Sequence, residues 1–158
     1  MNFPDIYEDD GVLRVGQPVE SQLLVQLDEG AYMPVREHST DGGLDLKSPI
    51  DCYIQPGDSA AIDTGVHIQL PPNTTGEVVC KSGLNVNHGL ICSGLIDEGY
   101  SGSIVVKLDN LSKEPYYIKA GDKIAQLVIR PVLYLSPVQV DKIEGGERGD
   151  NGFGSTGR

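Results

Sequence analysis

The chain reads as an all-β domain, a sandwich or barrel of the jelly-roll kind, and three features of its 158 residues say so. Glycine (20) and proline (10) punctuate short runs rich in Val, Ile, Leu and Tyr, as a succession of short strands requires. Alternation of apolar and polar residues recurs with the period of a half-buried strand. Helical spacing is scarce.

Taken in order, strands are predicted over Leu23 to Leu27, Ser59 to Asp63, Val66 to Leu70, Gly76 to Cys80, Ser103 to Leu108, Tyr116 to Lys119, Lys123 to Ile129 and Val138 to Val140. Turn signals such as Gln55-Pro56-Gly57-Asp58, Pro71-Pro72-Asn73 and Ala120-Gly121-Asp122 separate them. Val66-His67-Ile68-Gln69-Leu70 alternates cleanly, which gives one buried face and one wet face. Ile104-Val105-Val106 is continuously apolar and predicts a strand covered on both faces, in a sandwich interior or at a subunit contact. A helix of one or two turns is expected near Ser82, whose hydroxyl can cap the free N–H groups. Three parts result: an N-terminal extension of unknown role over 1–20, a β domain over 21–141, and a flexible Gly-rich tail over 142–158.

Composition excludes several functions. Twelve basic and 23 acidic residues leave a net charge of −11, so a nucleic-acid polymer would be repelled. A small anion remains possible if a few bases are focused at one point and a divalent cation screens the rest. No apolar run is long enough for a membrane span, and Met1 to Asp10 carry four acids and no base, unlike a signal peptide. Cys52, Cys80 and Cys92 match neither a disulfide framework nor a zinc site and are expected to be reduced thiols in a cytoplasmic protein. The glycosylation sequons at Asn73 and Asn110 then have no chemistry to serve. His38, His67 and His88 lack metal-binding spacing.

Five segments carry candidate chemistry, and each has a plainer explanation when taken singly. In the tail, the glycines of Arg148-Gly149-Asp150-Asn151-Gly152-Phe153-Gly154-Ser155-Thr156-Gly157 let backbone N–H groups approach an anion, with Arg148, Ser155 and Thr156 adding donors. An arbitrary Gly-rich tail is more often a linker, but Phe153 has little structural use there and could stack on a base. Cys80-Lys81-Ser82-Gly83-Leu84 places a cation and a hydroxyl where a strand meets a helix, which is also ordinary architecture. In Gly94-Leu95-Ile96-Asp97-Glu98-Gly99-Tyr100, Asp97 could activate a water or simply make an Asx turn. Gln126, inside an apolar strand, serves either a core hydrogen-bond network or a ligand. Asp41-Gly42-Gly43-Leu44-Asp45-Leu46 alone says only that a tight turn precedes a strand.

In order and spacing together, these five segments resemble the five motifs of the trimeric dUTPase family, from about Leu23 to the end of the chain. The resemblance implies a jelly-roll-like homotrimer with three active sites, each assembled from all three chains. It implies hydrolysis of dUTP to dUMP and pyrophosphate by water attack on the α-phosphate, which limits uracil entry into DNA and supplies dUMP for thymidylate synthesis. Asp97 matches the general base, and Tyr100 matches the tyrosine under the deoxyribose. Gly94, Leu95 and Ile96, with Val105 on the return strand, match the hairpin whose backbone pairs with uracil. Lys81, Ser82, Gly83 and Gln126 match the α- and β-phosphate binders; Arg148, Gly152, Gly154, Ser155 and Thr156 belong to the tail that closes over the γ-phosphate, and Phe153 would cover the uracil. Asp45 matches a supporting acid behind these groups. The cofactor implied is Mg²⁺, held by the triphosphate and water rather than by side chains.

Two departures stand out. Lys81 replaces the usual arginine, which keeps the charge and loses the bidentate fork. The Asn85 to Ser93 loop is short and lacks the family's hairpin asparagine. The homologous dCTP deaminase shares the fold but carries a catalytic glutamate where this chain has Lys107. A regulatory nucleotide-binding protein on the same fold, with residues 1–20 as its partner surface, is the alternative of a different class.

Overall fold

The computed structural model describes residues 6–9, 12–15 and 22–146. Thirteen strands and one short helix follow in order among them: β1 Ile6–Asp9, β2 Val12–Val15, β3 Leu24–Leu27, β4 Leu44–Lys47, β5 Cys52–Ile54, β6 Ser59–Asp63, β7 Val66–Gln69, β8 Thr74–Cys80, α1 Ser82–His88, β9 Leu90–Ile91, β10 Ser93–Ile96, β11 Val105–Asn110, β12 Tyr116–Ile118 and β13 Lys123–Pro131. The predicted all-β class is the observed one. No helix among the described residues is long and apolar enough to cross a membrane.

The largest sheet has the order β10-β8-β13-β4, with every pair antiparallel. A second sheet, β6-β11-β9, and the pairs β12-β5, β3-β7 and β1-β2 account for the other strands. Alternation determines what is buried. Along β11, Val106, Leu108 and Asn110 point inward while Val105 and Lys107 face out. Between the sheets lie Leu46, Ile54, Ile62, Ile104, Val106, Leu108, Ile118, Ile124 and Leu127, all 2% exposed or less. Removing each such side chain from water contributes about 1.5–3 kcal/mol, and this burial holds the short strands together.

Polar groups in that core are paired. Buried Asn110 donates through Nδ2 to the carbonyls of Ile54 (3.1 Å) and Glu114 (2.8 Å). Its Oδ1 accepts from the N–H (3.0 Å) and the hydroxyl (2.7 Å) of Ser112. The side chain of this sequon is therefore fully committed inside the fold.

Several expectations need correction. Val138 to Val140 forms no strand, and both valines are exposed. The strand expected from Ser103 begins at Val105, whose side chain is 51% exposed, so a sandwich interior does not cover both of its faces. Ser82 is the first residue of α1 and not its cap; Lys81 holds the cap position, with no side-chain capping bond. The β1-β2 pair lies inside residues 1–20, where only an extension was expected.

Candidate active site

Asp97 follows β10 directly, and its placement decides between the two readings of its segment. Its main-chain carbonyl accepts from the Tyr100 N–H at 2.9 Å and closes the turn. Its side chain makes no hydrogen bond among the described residues, so no Asx turn occupies the carboxylate, which is exposed. An open cavity of about 210 Å³ lies beside Asp97, lined also by Val78, Gly94, Leu95, Ile96, Tyr100, Ser103, Ile104 and Val105. A second, of about 440 Å³, is lined by Thr75, Leu95, Asp97, Glu98, Gly99, Val132 and Tyr134. Asp97 thus lines both cavities.

All six residues predicted from the third segment and its return strand, Gly94, Leu95, Ile96, Asp97, Tyr100 and Val105, line the first cavity. Among the described residues strand β10 is the edge of its sheet and pairs with β8 alone, so alternate N–H and C=O groups face away from the sheet. Leu95 (68% exposed) and Val105 add an apolar lining. At about 210 Å³ the cavity lies below the roughly 300 Å³ at which pockets for drug-sized ligands begin.

Tyr100 is locked across this cavity. Its hydroxyl donates to the Ser103 carbonyl at 2.9 Å, and a Cβ at position 102 would meet its ring and hydroxyl, so a larger residue there would push Tyr100 aside. His67 tethers the same loop to β7. Its Nδ1 lies 2.9 Å from the Ser101 carbonyl and its Nε2 lies 3.2 Å from Asp28 Oδ2.

A second cluster forms at the other end of β8. Asp45 on β4 is 4% exposed and sits opposite Gln126 in the ladder with β13. Lys81 Nζ donates to its Oδ1 at 2.5 Å, Lys123 Nζ lies 2.8 Å from its Oδ2, and Gln126 Nε2 reaches Oδ1 at 3.4 Å. Burial alone would raise the Asp45 carboxyl, but hydrogen bonds from Lys123 and Lys81, together with their charges, hold it below the usual carboxylate range. Leaving such a carboxylate without partners would cost about 3–5 kcal/mol. Gly43 lets the β4 segment approach, because a Cβ there would press on Gln126 Cβ at 3.1 Å. Gln126 therefore belongs to a polar network, and that network surrounds a cation that can reach solvent.

Lys81, Ser82 and Gly83 leave β8 together and open α1, which at seven residues adds little dipole, so the charge offered here is that of Lys81. A Cβ on Gly83 would meet nothing within 4 Å, so packing within the chain does not demand glycine there. Next to Lys81, a sulfur contact closes the sheet. Cys80 Sγ accepts from the Cys92 N–H at 2.6 Å and donates to the Cys92 carbonyl at 3.0 Å, pinning the end of β8 to the start of β10. Burial, and then Cys80, push the Cys92 thiol up to about 12. Cys52, Cys80 and Cys92 are free thiols.

Lys81, Ser82, Gly83 and Gln126 line neither of the two cavities beside Asp97. Arg148, Gly152, Phe153, Gly154, Ser155 and Thr156 lie outside the described residues. Sequence reasoning missed Lys123 and Glu37, whose contact at 2.7 Å extends the Asp45 cluster, because no local pattern announces a pairing across strands.

An edge strand bounding a small cavity, a carboxylate with a free face and a lysine-bearing polar cluster define an all-β protein of the jelly-roll class with a candidate site for a small anionic ligand. The comparisons with known proteins narrow the class. A family model described as dUTPase matches residues 29–157. The deoxyuridine 5'-triphosphate nucleotidohydrolase of Clostridium kluyveri is 44% identical over 138 residues, which is 85% of this chain and 96% of the relative. That of Mus musculus is 39% identical over 139 residues, 87% of this chain and 86% of the relative. A Staphylococcus bacteriophage 80alpha dUTPase variant solved with dUpNHpp superposes with a TM-score of 0.81 at 30% identity, covering 87% of this chain and 99% of that one. A dUTPase variant from phage phi11 of S. aureus, described as coordinating a structural Mg(II) ion, superposes with a TM-score of 0.74 at 30% identity over 79% and 100% of the two chains. The chain belongs to the dUTPase family.

Proposed function

We propose that this protein hydrolyses dUTP to dUMP and pyrophosphate. The observation that carries the reading is the cavity along β10, which places unpaired main-chain groups of an edge strand beside the exposed carboxylate of Asp97. Main-chain donors and acceptors at Gly94 to Ile96 would read the uracil edge as a complementary base does, and Leu95 and Val105 would cover its faces. Tyr100 would pack under the deoxyribose, where a ribose hydroxyl would clash. Asp97 would take the proton of the water that attacks the α-phosphorus, and the bond to the bridging oxygen of pyrophosphate would break.

Lys81, Ser82, Gly83 and Gln126 would bind the α- and β-phosphates, with the tail from Arg148 to Thr156 closing on the γ-phosphate and Phe153 covering the base. Mg²⁺ neutralises charge on the triphosphate when bound. Among the described residues no three His, Cys, Asp or Glu side chains are grouped to hold a metal, and both oxygens of Asp45 already face lysines. The ion would therefore be carried by phosphate oxygens and water.

The assembly proposed is a homotrimer in which different chains contribute to one site. Two features support it. The phosphate cluster and the nucleoside cavity occupy separate places in one chain, and Leu133, Leu135, Val138 and Ile143 stand exposed along the segment after β13. Deamination of dCTP is disfavoured at position 107, where Lys107 pairs with Asp109 at 2.5 Å and offers no base.

The test is pyrophosphate release from dUTP with Mg²⁺, run beside ammonia release from dCTP. Turnover of dUTP alone is expected, and its absence overturns the reading. In the same assay Tyr100→Ala should narrow the preference for dUTP over UTP by at least about tenfold, since small steric differences in a pocket are worth about that much. Unchanged discrimination would place sugar recognition elsewhere.

A further inference from the structure

Asp45 has two cationic partners where a simple pair would need one. Lys81 approaches Oδ1 and Lys123 approaches Oδ2, so either lysine can depart without disturbing the other's contact. A register shift between Lys123 and Ala125 is the reason Lys123 reaches this place. Without the extra residue, alternation would put Ile124 on the Asp45 face of β13; with it, Ile124 and Ala125 are both buried and Lys123 shares the face of Gln126. Beyond Asp45, Lys123 is anchored by Glu37 at 2.7 Å, and these two carboxylates hold its ammonium firmly charged, well above the ordinary lysine value. Lys81 contacts no carboxylate other than Asp45 among the described residues.

We propose that Lys123 is a positioning residue for phosphate binding: it keeps Asp45 paired when Lys81 leaves that carboxylate for the nucleotide. The inference rests on the functional reading above and extends it to a residue that touches no substrate. With Lys81 as sole partner, moving its ammonium onto a phosphate would leave a buried carboxylate without a countercharge, and Lys81 would stay where it is. With Lys123 on the second oxygen, Lys81 becomes exchangeable. The lysine at position 81 suits this role, because a point charge on a flexible stem can change partners while a bidentate arginine fork would lose two bonds at once.

The test is equilibrium binding of dUpNHpp with Mg²⁺, and of deoxyuridine, to the full chain and its variants. Lys123→Met should weaken dUpNHpp at least about tenfold and leave deoxyuridine within about twofold, while Lys123→Arg restores dUpNHpp to within about threefold. Lys81→Met should abolish most of the effect of a second substitution at Lys123, because the two act through one carboxylate. A purely structural role would weaken both ligands alike, and that result, full dUpNHpp affinity in Lys123→Met, or additive effects of the two substitutions would overturn the proposal. Should Lys123→Met not fold, Lys123→Gln keeps a donor without the charge and faces the same criteria. Wild type that fails to bind dUpNHpp overturns the functional reading and this inference with it; normal wild-type binding with an unaffected Lys123→Met overturns this inference alone.

Discussion

Asp97→Asn is expected to lower kcat for dUTP by about 10²–10⁴ while dUpNHpp binding changes by less than about threefold, the signature of a lost general base. The amide keeps the shape and the turn, since the Asp97 carbonyl, and not its side chain, accepts from the Tyr100 N–H. It removes only the capacity to accept the proton of the attacking water. Because the carboxylate is exposed and makes no side-chain hydrogen bond among the described residues, the substitution should leave the denaturant midpoint near that of wild type, as surface changes usually do. Steady-state kinetics paired with ligand titration separates the two effects. Turnover at the wild-type rate would reject Asp97 as the base.

The parts of this molecule that were legible in the sequence are those governed by local rules. Ser59–Asp63 forms a strand with the predicted bounds, and Val66–Gln69 ends one residue short, because alternation and flanking turns act within a few residues. Most of the lining of the cavity beside Asp97 was legible for the same reason: Gly94 to Tyr100 form one continuous segment to which Val105 was added from the return strand, whereas Val78, Ser103 and Ile104, which also line it, were not singled out. The contacts within the Asp45 cluster were not legible, although Asp45, Lys81 and Gln126 are each matched through the family resemblance. Its contacts reach 36 residues to Lys81 and 81 to Gln126, and the bulge that aims Lys123 depends on strand register, which no local pattern specifies. The β1-β2 hairpin had a signal that went unused, the Asp10-Gly11 pair between two short runs, hidden by the acidic composition around it. At Val138 to Val140 propensity pointed the wrong way, since a β-rich tripeptide forms no strand without a partner to pair with.

Truncation before Arg148 is expected to lower kcat/KM for dUTP by about 10²–10³ while the chain retains its oligomeric state in sedimentation. The removed segment lies outside the described residues, and the argument for it is chemical. Its glycines cannot bury apolar surface, so the fold should lose little when they go, whereas on the proposed reading Arg148, Ser155 and Thr156 would be the donors left to meet a γ-phosphate with Lys81 and Gln126 serving the inner ones. The chain's net charge of −11 sharpens the expectation, because a triphosphate approaching such a surface depends on each focused cation. Described residues alone line the cavity beside Asp97, so deoxyuridine binding is expected to fall only by what stacking on Phe153 contributes, and Phe153→Ala in the full chain should reproduce that smaller loss. Turnover by the truncated chain at the full rate would show that the phosphates are held entirely by the β domain, and the tail would then be the linker its composition first suggested.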